Sequence, residues 1–118
     1  MFEKTGYYEI KKSKFYSYAT TLTQKEEVAQ LFAYLKKEHK KARHICYGYI
    51  LVDGQNLHSQ GYDDGEPSGT GGKAIRELLF VKNIRNKIVF VIRYFGGIKL
   101  GWEGVKKAYK EAAKLVLD

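Results

Sequence analysis

The distribution of apolar positions predicts an alternation of strands and helices along the chain. Residues 88–92 form an unbroken run of β-branched and aromatic side chains, a pattern typical of a strand that is covered on both faces. Four other stretches have the alternation or the apolar content of strands: residues 7–10, 14–21, 44–52 and 57–62. Asp53-Gly54 separates the last two and indicates a hairpin turn, so these two strands are predicted to pair antiparallel.

Apolar residues recur at helical spacing in three other segments. The first stripe consists of Val28, Leu31, Phe32 and Leu35. Thr23 and Glu26 supply the hydroxyl and the carboxylate of a capping box before this stripe. Two further helices are predicted over about residues 71–82 and 101–117. Their inward-facing positions are Ile75, Leu78 and Leu79 in one helix and Val105, Ala108, Tyr109, Ala112 and Val116 in the other.

The resulting order, β-β-α-β-β-α-β-α, predicts an α+β domain in which a sheet carries its helices on one face. The length of 118 residues suits a single domain, and 44% hydrophobic and 14% aromatic residues exclude a disordered chain. No apolar run approaches the roughly 18 residues of a membrane span, and the first ten residues lack the apolar core of a secretory signal. The single cysteine, Cys46, excludes an internal disulfide and suits a reducing cytoplasm, which is the expected location.

The charge is distributed unevenly along a chain whose formal net charge is +8. Residues 44–72 contain four carboxylates and no Lys or Arg, so the basic residues are concentrated outside this segment. A basic body of this kind favours polyanionic partners such as RNA. A lysine-rich solvated surface without a partner has the same composition, and charge alone leaves both interpretations open.

The first candidate site is a loop over residues 63–72, which holds four glycines and one proline. The glycines precede a helix start with Lys73, an arrangement that favours phosphate binding by backbone N–H groups. The loop is not a Walker A motif, because Ala74 stands where a Ser or Thr would hold magnesium.

Three carboxylates lie in the same loop: Asp63, Asp64 and Glu66. They either bind a hard cation, although their spacing matches no standard calcium loop, or have a structural role. In the structural role they cap N–H groups or pair with Arg93 and nearby lysines.

The second candidate site follows the central strand. Arg93 closes that strand, and Gly96, Gly97, Lys99, Gly101 and Gly104 follow within a few residues. Glycines are required where the backbone adopts positive φ or where another group approaches it closely. A basic turn rich in N–H groups is thereby brought to the N-terminus of a helix, where anions are readily held.

Two further patterns each have a functional and a structural interpretation. His44 and Cys46 share one face of a strand, either as a base and its nucleophile or as a hydrogen-bonded imidazole beside a packed thiol. Two tyrosine pairs also share faces, either as stacking platforms for single-stranded nucleic acid or as core-edge residues with solvated hydroxyls. These pairs are Tyr16 with Tyr18 and Tyr47 with Tyr49.

Three blocks of sequence resemble the IMPACT/YigZ family: AxHxCYxY over residues 42–49, DDGEPSGTxG over 63–72 and RYFGGxKLGxxG over 93–104. The resemblance implies a two-layer α/β sandwich with a mixed sheet, similar to domain IV of elongation factor G and the related ribosomal-protein fold. In that fold a left-handed βαβ crossover is common, against the usual rule. The chain departs from the family pattern at Gly71, Ala74 and Glu103, where the family usually has Ala, Pro and Gly.

The resemblance also implies a role in the control of translation. Eukaryotic members restrain a translation-factor kinase that responds to starvation, which makes stress response an expected context. Family members carry a further domain, so residues 1–118 are expected to be the single core domain alone.

We therefore expect a non-enzymatic, cytoplasmic domain that regulates translation by binding RNA, the ribosome or a translation factor. No cofactor, metal or membrane is expected, and the oligomeric state is left open. The predicted residues for a phosphate-bearing ligand are Ser68, Gly69, Thr70, Gly71, Gly72, Lys73, Arg93, Gly96, Gly97, Lys99 and Gly101. The prediction requires the two glycine-rich loops to meet at a common rim. Two alternatives remain: an enzyme acting on a phosphate-containing substrate through a carboxylate or metal site, and a protein-only adaptor.

Overall fold

Five strands and three helices make up the chain over residues 1–117, which are the residues described by the computed structural model. In chain order they are β1 (Lys4–Ile10), β2 (Ser13–Thr21), α1 (Glu27–Glu38), β3 (His44–Asp53), β4 (Asn56–Tyr62), α2 (Gly72–Val81), β5 (Lys87–Tyr94) and α3 (Gly101–Lys114). The predicted order of elements and the α+β class are confirmed. No helix within residues 1–117 is long and apolar enough to cross a membrane.

The strands form one sheet in the order β1-β2-β5-β3-β4. The predicted central strand is confirmed, since β5 lies in the middle and residues 88–92 are all fully buried. The prediction of a mixed sheet is wrong, because every neighbouring pair of strands is antiparallel. Parallel neighbours are avoided because β5, the last strand in the chain, inserts between β2 and β3.

The two faces of the sheet carry separate cores. Val89 and Val91 of β5 pack in the cluster that contains the predicted stripes of α2 and α3. Ile88, Phe90 and Ile92 pack in the cluster that contains Val28 and Leu35 of α1. The prediction of helices on one face is therefore wrong: α1 covers the opposite face from α2 and α3. A central strand that is apolar on both sides needs this second cover to keep its residues from water.

The two helical crossovers have opposite handedness. Strands β2 and β3 both pair antiparallel with β5, so they are parallel to each other and α1 connects them. Strands β4 and β5 are also parallel to each other but run opposite to β2 and β3, and α2 connects them in the reverse direction along the sheet. Because α1 and α2 lie on opposite faces, one crossover must be left-handed, as the resemblance implies and against the common preference.

Backbone contact between α2 and the β3–β4 hairpin positions the first glycine-rich loop. A Cβ added to Gly72 would lie 2.2 Å from the carbonyl oxygens of Tyr47 and Tyr62. Gly48 and Gly61 are paired across the two strands beneath it, and a Cβ on either would lie less than 3 Å from backbone atoms of α2. These glycines are required because the start of α2 rests directly on the backbone of the hairpin.

A second close approach positions the other loop. A Cβ on Gly96 would lie 2.1 Å from the carbonyl group of Lys12, and the N–H of Gly96 donates to Ser13 Oγ at 3.2 Å. The loop between β5 and α3 is therefore docked on the turn between β1 and β2.

Helix α1 begins later than the capping box predicts. Glu27, not Glu26, accepts hydrogen bonds from the N–H groups of Gln24 and Thr23 and from the Thr23 hydroxyl, at 2.7–2.9 Å. Those backbone hydrogen bonds lower the pKa of Glu27. The prediction is wrong by one residue because the chain makes an extra turn before the helix, and this turn brings the next carboxylate back to Thr23.

The turn between β1 and β2 stores backbone strain that a substitution can release. Lys11 and Lys12 form a two-residue loop in which both have positive φ, 47° and 66°, as in a type I′ turn. Asn-Gly adopts this turn with little strain, whereas each non-glycine residue in the left-handed region costs about 1–3 kcal/mol. We expect Lys11→Asn with Lys12→Gly to raise the free energy of unfolding by about 1–2 kcal/mol, measured by urea denaturation.

The control removes the same charges elsewhere. Lys40 and Lys41 are adjacent and exposed, and neither has positive φ. Lys40→Asn with Lys41→Gly is expected to give no gain in stability. An equal gain in both double variants would attribute the effect to reduced charge repulsion and not to the turn.

Candidate functional site

The two glycine-rich loops meet in a cleft of about 510 Å³. The first loop contributes Gly65, Glu66 and Pro67, and the second contributes Phe95, Lys99, Leu100, Gly101 and Trp102. Arg43, His44, Arg93 and Val105 complete the lining. The structure therefore brings the two loops together, but none of the ligands predicted over residues 68–73 of the first loop lines the cleft.

A buried ion pair forms the floor of this cleft. Arg93 Nη1 donates to both carboxylate oxygens of Glu66, at 3.0 and 2.9 Å, and the Tyr109 hydroxyl donates to Glu66 Oε2 at 2.5 Å. His44 Nε2 lies 3.5 Å from Glu66 Oε1. Burial raises the pKa of Tyr109 well above its ordinary value, so its hydroxyl keeps the proton that it donates. Arg93 is only 6% exposed and its charge is neutralised inside the protein, so it does not act as a free cation at the rim.

Asp63 occupies the N–H groups that were predicted to hold a phosphate. Its Oδ2 accepts from the N–H of Gly69 at 2.8 Å, and its Oδ1 accepts from the N–H groups of Gly71 and Lys73 at 3.2 and 3.0 Å. The N-terminus of α2 is thus already provided with an internal anion. Of the other predicted residues, Thr70 and Gly72 are buried, whereas Ser68 and Lys73 are exposed and their side chains lie 3.4 Å apart.

The remaining carboxylate, Asp64, links the first loop to β3 and β4. Its Oδ2 accepts from the N–H of Ile45 at 2.7 Å, and its Oδ1 accepts from the Tyr62 hydroxyl at 3.0 Å. The three carboxylates of the loop therefore have three separate structural partners. Within residues 1–117 no group of three His, Cys, Asp or Glu side chains is arranged to hold a metal ion.

Of the two interpretations of Cys46, the structure supports the structural one. Its thiol is fully buried and donates to the carbonyl oxygen of Asp63 at 3.1 Å. Burial raises the pKa of this thiol, which disfavours the thiolate form that a nucleophile requires. The Nδ1 atom of its neighbour His44 is hydrogen-bonded to the carbonyl oxygen of Asp64 at 2.7 Å.

The second loop remains open to an incoming ligand. Helix α3 begins at this loop, and its N-cap residue, Leu100, makes no side-chain capping hydrogen bond. Lys99 is exposed beside it, and Gly97 and Gly101 have positive φ, 89° and 76°. Among the predicted anion ligands, the exposed Lys99 is therefore the cation best placed at the rim.

Several rim residues were not predicted from the sequence. Arg43 lies over the ring of Phe95, with its Cζ 5.0 Å from the ring centroid. Lys106 Nζ lies 5.3 Å from the centroid of the Trp102 ring, which is 47% exposed. The sequence offered a hint of Trp102, because a large aromatic residue on the polar side of the predicted third helix indicates a contact outside the core. Arg43 belongs to a basic run that extends from the end of the first predicted helix and suggests a charged patch, but its proximity to the second loop depends on the pairing of β3 with β5.

Neither tyrosine pair forms the stacking platform that was one of its two interpretations. Tyr49 is only 2% exposed, and Tyr18 packs on Phe2 with the ring centroids 5.1 Å apart. Tyr16 instead meets Tyr94 of the neighbouring strand, with the ring centroids 5.7 Å apart.

Removal of the charge of Glu66 tests the floor of the cleft. Glu66→Gln leaves Arg93 buried without a counter-charge, so we expect the free energy of unfolding to fall by about 3–5 kcal/mol. The matched control is Glu77→Gln, which breaks the exposed ion pair with Lys110 at 3.5 Å. Its expected cost is below about 1 kcal/mol. Urea denaturation of both variants measures the difference, and equal small losses would show that the buried pair does not hold the loops together.

Similarity to known proteins identifies the family of this chain. The family model described as the Impact N-terminal domain matches residues 11–117. The IMPACT family member YvyE of Bacillus subtilis is 40% identical over 101 residues, which cover 85% of this chain and 46% of that protein. YigZ of Escherichia coli is 35% identical over 102 residues, 86% of this chain and 50% of that protein. The chain thus spans about half the length of the curated relatives that it matches.

Two solved structures share the fold. One, a crystal structure of a hypothetical protein, has a TM-score of 0.83 and 35% identity and covers 96% of this chain and 55% of that one. The other, the two-domain translational regulator Yih1, has a TM-score of 0.62 and 24% identity and covers 98% of this chain and 46% of that one. Since the matched family model includes both loops of the cleft, the chain belongs to the IMPACT family, in which it corresponds to the Impact N-terminal domain.

Proposed function

We propose that this domain takes part in the regulation of translation by binding RNA at the cleft between its two glycine-rich loops. The proposal is supported by the fold shared with Yih1, which is described as a translational regulator, and by the net charge of +8. The observation that carries it is the rim of the cleft, where exposed cations and exposed aromatic rings stand together. RNA presents phosphates and flat bases, and these two kinds of side chain recognise them. The proposal implies that the domain acts in the cytoplasm, where translation takes place.

The charges of the cleft are separated in a way that suits a polyanion. The carboxylate of Glu66 is neutralised on the floor by Arg93, and Asp63 is enclosed by backbone N–H groups. At the rim, Arg43 and Lys99 are exposed and make no ion pair with any residue from 1 to 117. A phosphate at the rim therefore meets cations first.

The open N-terminus of α3 adds to this preference. Backbone N–H groups at a helix start attract anions, and at α3 the N-cap residue, Leu100, makes no side-chain capping hydrogen bond. Glu103 in the first turn opposes this effect. The phosphate position is accordingly on the Lys99 side of the helix start, away from that carboxylate.

The aromatic rings of the rim supply contacts that charge alone does not. Trp102 and Phe95 are 47% and 37% exposed, and each has a cation over its ring. Stacking of a ring on a base contributes about 1–3 kcal/mol. The rim thus combines the phosphate and base contacts of a nucleic-acid site.

The dependence of RNA affinity on salt tests the phosphate contacts. We expect a labelled oligoribonucleotide of about 12 nucleotides to bind at about 50 mM salt, with affinity falling at a logarithmic slope near −2 for three neutralised phosphates. Fluorescence anisotropy measures both. Lys99→Glu is expected to weaken binding by about tenfold or more, and Lys25→Glu, on another part of the surface, only slightly. Absence of binding at the lowest salt would discard the RNA function, and equal effects of both reversals would leave only diffuse attraction.

The tryptophan tests base stacking separately from charge. Trp102→Ala leaves every charge in place and removes an exposed ring, so we expect affinity to fall by about 1–3 kcal/mol at constant salt slope. The control is Tyr34→Ala, which removes a ring that is 41% exposed on α1, outside the cleft. RNA quenching of tryptophan fluorescence provides a second measurement, since Trp102 is the single tryptophan of the chain. Unchanged affinity of Trp102→Ala would remove stacking from the proposal.

A further inference from the structure

A second pocket, of about 660 Å³, lies between the β1–β2 turn and the C-terminal end of α1. Its lining includes Lys12, Lys14, Tyr16, His39, Tyr94 and Phe95. The loop prediction did not include this pocket, and the cleft proposed above does not use it. Its chemistry nevertheless repeats that of the cleft rim, with lysines beside aromatic rings.

The aromatic side chains of this pocket form a rigid corner. The rings of Tyr16 and Tyr94 are nearly perpendicular, at 83°, and the ring of His39 lies 5.6 Å from that of Tyr16. His39 is held by both of its nitrogens: Nε2 bonds to the Tyr18 hydroxyl at 2.8 Å and Nδ1 to the Tyr94 hydroxyl at 2.7 Å. The polar edges of the His39 and Tyr94 rings are therefore satisfied within the protein, which leaves ring faces for contact with a ligand. A flat aromatic ligand such as a nucleobase fits faces of this kind.

Lys12 lines the pocket from a strained turn. Lys11 and Lys12 both have positive φ, a conformation that Asn or Gly would adopt with less strain. Strained residues are retained where the surroundings or a function require them. Here the strained turn presents Lys12 beside Lys14 at the mouth of an aromatic pocket, with Glu38 the one carboxylate in the lining. Lysines beside aromatic rings recognise a phosphate next to a base.

The pocket is continuous with the cleft between the loops. Phe95 lines both, and the guanidinium of Arg43 lies over its ring. The carbonyl group of Lys12 also rests against Gly96, so the turn and the second loop form one surface. A single strand that leaves the Trp102 side of the cleft can therefore cross Phe95 and reach the tyrosine corner.

We infer that this pocket is a second base-binding site and that the ligand of the domain is single-stranded RNA spanning both sites across Phe95. The inference rests on the proposed function and makes it more specific. Bases of a duplex are paired and stacked on one another, so a duplex cannot place bases in two separate aromatic pockets. A single strand has its bases free for both.

The strained turn provides a test in which loss of folding cannot imitate loss of binding. Lys11→Asn with Lys12→Gly, the variant expected to be more stable, should bind a single-stranded oligouridine of about 12 nucleotides roughly five- to tenfold more weakly at about 100 mM salt. Lys40→Asn with Lys41→Gly removes the same charge outside the pocket lining and should have a clearly smaller effect. Tyr16→Leu, checked for folding by urea denaturation, should weaken binding by at least about fivefold through loss of the ring.

The outcomes separate the inference from the proposed function. Weaker binding of the turn variant than of the control, together with a preference for oligouridine over an RNA duplex of equal length, supports a second base site. Equal effects of the two double variants, an unchanged affinity of Tyr16→Leu, or equal binding of duplex and single strand overturns it. In each of those cases RNA binding sensitive to Lys99→Glu would leave the proposed function intact. Absence of any RNA binding by the unmodified domain overturns both.

Discussion

The buried ion pair between Glu66 and Arg93 is the interaction on which the rest of the site depends. It joins the first glycine-rich loop to the end of β5, and the hydroxyl of Tyr109 joins both to α3. A buried charge pair adds little net stability compared with apolar packing, but it tolerates only one geometry once its partners are enclosed. It therefore fixes the relative position of two loops that come from distant parts of the chain and meet at one cleft.

Backbone contacts at glycines complete this arrangement. Gly72 rests on the β3–β4 hairpin, and Gly96 rests on the turn at Lys12, in both cases closer than any side chain would allow. Glycines in such loops are readily interpreted as phosphate cradles, and here the cradle of α2 is occupied by Asp63. At these positions the small residue serves close packing, and the proposed anion site lies at the neighbouring loop.

Charge is consequently sorted between the interior and the surface. The carboxylates of the first loop all have partners within the protein. Asp63 accepts hydrogen bonds from backbone N–H groups, Asp64 accepts them from β3 and from the Tyr62 hydroxyl, and Glu66 forms an ion pair with Arg93. Arg93 is buried with them, whereas Arg43 and Lys106 lie over the exposed rings of Phe95 and Trp102. The cations and aromatic faces that remain at the surface are the basis of the proposed binding of single-stranded RNA.

The sequence by itself determined the order of elements, the buried central strand and the inward stripes of all three helices, because hydrophobic periodicity depends only on neighbours within a few residues. It also identified both loops of the cleft. Only the tertiary structure decided that α1 covers the face opposite α2 and α3, that the sheet is antiparallel throughout, and that Glu27 and not Glu26 closes the start of α1. It likewise decided that Arg93 pairs with Glu66, 27 positions away, whereas Arg43 and Lys99 stay at the rim. These outcomes depend on contacts between segments far apart in the chain, and local pattern carries no information about which distant group will satisfy a given charge or N–H.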